Sequence, residues 1–172
     1  MTFANVKRQT GRGTLAFSAL FLAIFLAALI GLYVWSSQSV LRIRDWQNDE
    51  ILLEARAGPG DQLYFGWIHS LENIPWHEYY YISDDLTLIL DTIAFPGFGA
   101  GIPDNRGRGV RIQDGLIYMY DIDDEFEQLS WLNSHEFTQG IMLNGEHVAR
   151  GSQLPEKRLT LRVERRGFNV WR

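Results

Sequence analysis

Two rhythms of apolar residues divide the chain. From Thr14 to Trp35 no side chain is charged and few are polar, whereas beyond Ser37 apolar and polar residues alternate in short runs. The first run predicts a helix. At about 1.5 Å per residue its roughly 22 residues reach about 33 Å, enough to cross a ~30 Å hydrocarbon core. Lys7, Arg8 and Arg12 precede the run and no acidic residue does. The positive-inside bias then predicts a cytoplasmic tail over 1–13, a transmembrane anchor over 14–35 and an extracytoplasmic domain over 36–172. A cleaved signal peptide would have a shorter apolar core ending in small residues. Here the run ends in Tyr33-Val34-Trp35, bulky residues suited to an aromatic belt. The chain is expected to cross a membrane once, with the carboxy-terminal domain outside the cytoplasm. Ala27, Ala28, Gly31 and Ser36 add a small-residue stripe that would let another helix approach.

The second region has period two, the spacing of half-buried strands. Leu159, Leu161 and Val163 alternate with Arg158, Thr160, Arg162 and Glu164, and Ile51, Leu53 and Ala55 share one side of 50–56. Similar runs predict strands at 40–45, 62–69, 76–82, 86–95, 116–122, 129–133 and 140–143. Turn residues separate them, notably Gly58-Pro59-Gly60-Asp61, Ser83-Asp84-Asp85 and Gln113-Asp114-Gly115. Asn144-Gly145 between Ile141-Met142-Leu143 and His147-Val148-Ala149 signals a two-residue hairpin. Many short strands near ten-residue spacing predict one all-β antiparallel domain, a sandwich or a barrel. The stretch from Pro96 to Gly109, rich in glycine yet apolar, is expected as an ordered loop packed on that domain.

Composition narrows what such a domain can bind. All 21 acidic residues and all but three of the 16 basic ones follow the helix, leaving the outer region at −8. That balance disfavours nucleic acid, whose recognition depends on neutralising phosphates. It also disfavours lying flat on anionic lipid. Cysteine is absent, so no disulfide supports the outer region, but about 135 residues suffice for a core of their own.

The candidate chemistry lies between two predicted strands, in the segment from His69 to Glu78. Alternation puts His69 on the face of Leu63, Phe65 and Trp67, and Glu78 on that of Trp76, Tyr80 and Ile82. A hairpin closing through 71–75 would bring His69 and Glu78 together across the ladder. A carboxylate on an apolar face needs a partner, so the pair reads either as a buried pin or as part of a ligand or docking site. Ser70 points to the opposite face, and no HExxH, G-x-S-x-G or P-loop pattern occurs. No catalytic residue, cofactor or metal ligand is therefore assigned. Gly97, Gly99 and Gly101 either permit close packing or present N–H groups to an anion. The acidic run 121–127 lacks EF-hand spacing and reads as a solvated turn or a docking patch. His135 and His147 stand alone near turns. The end of the chain, 165–172, is basic and aromatic.

His69-Ser70-Leu71-Glu72 followed by Pro75 and Glu78, then Phe98-Gly99-Ala100-Gly101-Ile102-Pro103, resembles the paired signatures of a small bacterial family of unknown function. Those signatures are an HSVE–P–E element and an FGAG–P element, and Leu71 stands where valine is usual. The resemblance covers roughly 40–160 and marks His69, Ser70, Glu72, Pro75, Glu78, Gly99, Gly101 and Pro103 as site or scaffold. It implies a neighbourhood of TAXI-type TRAP transporters, and so an anchored accessory subunit of such a system, crossing a bacterial inner membrane once with its carboxy-terminal domain in the periplasm. Its partners would be the transporter's membrane subunits, its solute-binding protein, or both. The alternatives are a periplasmic module that binds or senses a small anion, with His69, Glu72, Glu78 and the glycine loop lining its pocket, and, more remotely, an envelope hydrolase.

Overall fold

The alternating runs pair into two sheets, and their register explains which side chains turn inward. The computed structural model describes residues 11–97 and 106–167. Two compact units are described, one on the helix α1 (Gly11–Ser37) and one spanning Gln38–Arg165. The described side chains of α1, Phe17 and those over 20–34, are open and almost all apolar: Phe21 is 75 % exposed and Ile30 63 %. A helix with no polar face needs lipid or protein around it. Among the described residues no helix is long and apolar enough to cross a membrane.

Strands of the second unit follow in order as β1 (Ser39–Asp45), β2 (Ile51–Arg56), β3 (Gln62–His69), β4 (Ile74–Ile82), β5 (Leu88–Phe95), β6 (Gly109–Gln113), β7 (Leu116–Tyr120), β8 (Asp124–Phe126), β9 (Leu129–Leu132), β10 (Thr138–Leu143), β11 (Glu146–Ala149) and β12 (Arg158–Arg165). One sheet has the order β2-β1-β12-β9; the other runs β11-β10-β3-β4-β5-β7-β6, with β8 also on β5. Each sheet keeps its own edges, so the all-β expectation resolves to a sandwich and not a closed barrel. Leu41, Ile43 and Leu161 from the first sheet and Leu63, Ile93 and Phe95 from the second belong to one buried cluster.

Four local differences from the sequence reading have physical causes. The turn after β3 is tight: Asn73 takes φ 54° and its N–H donates to the His69 carbonyl at 2.7 Å, so β4 opens at Ile74 instead of Trp76. Leu86 is left-handed at φ 73° and belongs to a turn, which delays β5 to Leu88. β6 was not expected because it is an edge strand whose side chains are mostly exposed, leaving no buried face to read. β8 is three residues inside an acidic run. The Asn144-Gly145 hairpin, by contrast, forms with both residues at positive φ, 51° and 81°.

A bulge interrupts β5. Tyr79 pairs with Thr92 and Tyr80 with Leu90, leaving Asp91 unmatched. Inward positions therefore change phase, from Leu88 and Leu90 before the bulge to Ile93 and Phe95 after it. The same strand edge changes partner there: β8 pairs with 88–90 and β7 with 93–95.

Candidate functional site

Strict alternation on β3 and β4 delivers a row of large side chains to the inner face of the larger sheet. Trp67 lies opposite Trp76, and Phe65 opposite Glu78. The two indoles have centroids 5.5 Å apart, and Trp76 stacks on the buried Phe95 at 4.9 Å. Across from them β9, an edge strand of the smaller sheet, supplies Trp131, which meets Phe65 edge-on at 5.2 Å. Rings this bulky leave a space between the sheets of about 410 Å³, lined also by Tyr80, Phe126 and Arg106. That size lies at the small end of the range for ligand pockets.

Glu78 is the acidic group of this lining. Trp76 Nε1 donates to its carboxylate at 3.2 Å and Tyr80 Oη at 2.7 Å. Burial pushes the Glu78 carboxyl above the ordinary carboxylate range, against these two donors, the neighbouring Trp67 indole and the positive charge of Arg106. The Tyr80 phenol is held far above its usual value by its own burial and the adjacent carboxylate. Arg106 itself pairs with Asp124 at the rim.

The predicted His69–Glu78 pair does not form. His69 lies opposite Ile74, and the Trp67–Trp76 pair stands between its position and that of Glu78. The cause is the early start of β4, which lengthens the hairpin. His69 instead stacks on Trp67 and Trp76, with centroids 5.6 and 5.7 Å away. Its Nδ1 is buried and has no hydrogen-bond partner among the described residues. Ser70 is exposed in the turn and Glu72 is half-buried there, so neither joins the cavity lining. Gly99, Gly101 and Pro103 lie outside the described residues, as does 168–172. Of the expected site, then, Glu78 lines the cavity, with His69 bordering it through the indoles.

The acidic run is not a free patch. Asp121 and Asp123 take positive φ, 54° and 59°, while Asp123 pairs with Arg108 at 2.6 Å and Asp124 with Arg106. Among the described residues no group of three or more His, Asp or Glu could hold a metal ion.

A second concavity, about 860 Å³, lies on the opposite face of the larger sheet, where Tyr64, His77, Tyr79, Tyr81, Arg111 and Tyr118 converge. Tyr64 and His77 share a hydrogen bond between Oη and Nδ1 at 2.8 Å. The Tyr64 ring lies flat over Gly66, where an added Cβ would come within 2.3 Å of the hydroxyl. Burial raises Tyr64 and Tyr79 and lowers His77. Arg111 sits 4.8 Å from the Tyr118 ring centroid, so its cation already has an aromatic partner. The tyrosines at every second position on β4 and β7 were the sequence signal for this face. Trp131, Phe126 and Arg106 had no comparable signal, because they reach the cavity from separate elements.

A family model described as Domain of unknown function (DUF1850) matches residues 63–149, half of the chain. The chain belongs to this family. Its match contains every residue named above as lining the inner cavity and leaves out α1, β1, β2 and β12. No curated protein and no solved structure matches the chain.

Proposed function

We propose that the β unit is a small-ligand binding module, held at the outer face of a membrane by α1. The observation that carries this reading is a cavity between the sheets walled by indole and phenyl rings, with one ionisable carboxylate inside it. Interiors normally close on themselves at high density; an aromatic space with a few convergent polar groups is what ligand sites have in common. The cavity's chemistry differs from the anion site expected from the glycine loop. Its ionisable groups are Glu78 and an arginine already paired with Asp124.

Thermal shift of the full chain in detergent micelles, against small cations, anions and polyols, tests the reading. A ligand at a hundred times its Kd stabilises by about 2.7 kcal/mol, which is a rise of roughly 5–10 °C for a domain of this size. The shift should disappear in Glu78→Gln and survive replacement of α1 by an unrelated anchor. No shift with any class, confirmed by calorimetry, overturns it.

A second reading, an accessory subunit of a TRAP-type (TAXI) transporter, is supported by the open apolar surface of α1. Such a surface suits a lipid bilayer and neighbouring membrane helices. Here the helix swap should abolish function, and the transporter's membrane subunits or solute-binding protein should co-purify. Recovery of the chain alone, under conditions that keep the transporter intact, overturns this reading.

A further inference from the structure

We propose that the cavity takes a small organic cation, an ammonium or quaternary ammonium group, with Glu78 as counter-charge and the surrounding rings as its walls; this rests on the binding-module reading above. Consider first the carboxylate. Trp76 Nε1 and Tyr80 Oη both donate to it. A carboxylate offers about four lone-pair directions, so two donors leave about two. An array made of donors suits the ionised form, since a protonated acid would set its own hydrogen against one of them. A negative charge so enclosed is costly unless a cation answers it.

Among the described residues no cation does so fully. Arg106 lines the cavity, but its guanidinium is bound to Asp124 and its side chain is 45 % exposed at the rim. The walls supply the rest of the match. Trp67, Trp76, Trp131, Phe65, Tyr80 and Phe126 bring π-systems whose negative faces attract cations, most strongly when water is excluded. The surrounding region carries −8, which raises the local concentration of cations and repels anions. A sugar would ask for more hydrogen-bonding groups than Gln128, Ser130 and Thr138 provide in this lining.

The test uses the full chain in detergent micelles with three probes: choline, its uncharged tert-butyl isostere, and acetate. Titration calorimetry and tryptophan fluorescence report binding. The expected result is that choline binds at least tenfold more tightly than the isostere and acetate does not bind. Glu78→Gln should remove that preference while circular dichroism and the unfolding midpoint stay unchanged. Glu78→Asp, which keeps the charge, should retain part of it. Equal affinity for choline and the isostere overturns the cation assignment and leaves the binding module standing. Acetate binding that is lost in Arg106→Ala also overturns it, in favour of an anion. Failure of all three probes overturns the cation assignment; if the wider panel fails as well, the module falls with it.

Discussion

Two glutamates, one over each sheet, stand in opposite circumstances. Glu164, on the outer face of the smaller sheet, meets Arg42 at 2.5 Å and Arg44 at 2.7 Å, and Arg162 at 2.5 Å. Arg42 reaches Glu54 as well, at 2.8 Å, and Arg44 reaches Asp49 at 3.1 Å. Burial alone would raise Glu164; hydrogen bonds from Arg44 and Arg42 and the charge of Arg162 outweigh it and hold the carboxyl below its ordinary range. Glu78 has neutral donors in contact and a single arginine at a distance, and its carboxyl is raised. The charge at Glu164 is answered within the protein, so that residue is architecture. The charge at Glu78 has no direct cationic partner among the described residues, and that imbalance marks a site.

The comparison can be broken most forcefully at Glu164. Removing one member of a buried ionic network leaves the others uncompensated. Glu164 is 20 % exposed, so we expect Glu164→Ala to cost about 2–3 kcal/mol, read from the urea midpoint. A cost below about 0.5 kcal/mol would place the network among ordinary surface pairs.

The pH dependence comes next, and the two residues should differ in sign. A carboxyl lowered by folding contributes stability above its unfolded value, near pH 4.3, and that contribution is lost as pH falls through the folded value. Glu164→Gln should therefore flatten the acid limb of the stability profile. A carboxyl raised by folding contributes below its unfolded value, and that contribution is lost as pH rises through the folded one. Glu78→Gln should thus gain relative to the parent on going from about pH 4 towards 7. Urea unfolding across that interval checks both, and slopes of equal sign would remove the distinction.

The smallest effect is expected for Glu78→Gln at neutral pH. It relieves a half-buried charge but sets an amide N–H against one of two donors, so the net change should lie within about 1 kcal/mol. A loss above about 3 kcal/mol would make Glu78 architecture too.

What the sequence disclosed follows the same division. Alternation on β3 and β12 placed Leu63, Phe65, Trp67, Leu159 and Leu161 inward, because one side of each strand is buried. β6 and β8 escaped it: one has no buried face and the other is too short to show a period. Glu78 was legible as a carboxylate among apolar neighbours. Its partner was misjudged, since hairpin register depends on the turn, and Asn73 at positive φ fixes it two residues earlier than composition suggests. The cavity's far wall could not be read at all, because Trp131 meets Phe65 only through the packing of two sheets.

Asp91 gives β5 an unusual tolerance to length. It is the extra residue of the strand: Tyr80 and Tyr79, neighbours on β4, pair with Leu90 and Thr92 on either side of it. Losing this one codon would not slip the register. It would close the bulge with Leu88, Leu90, Ile93 and Phe95 still on one face, and take from the outer concavity only the carboxylate that Asp91 brings to it.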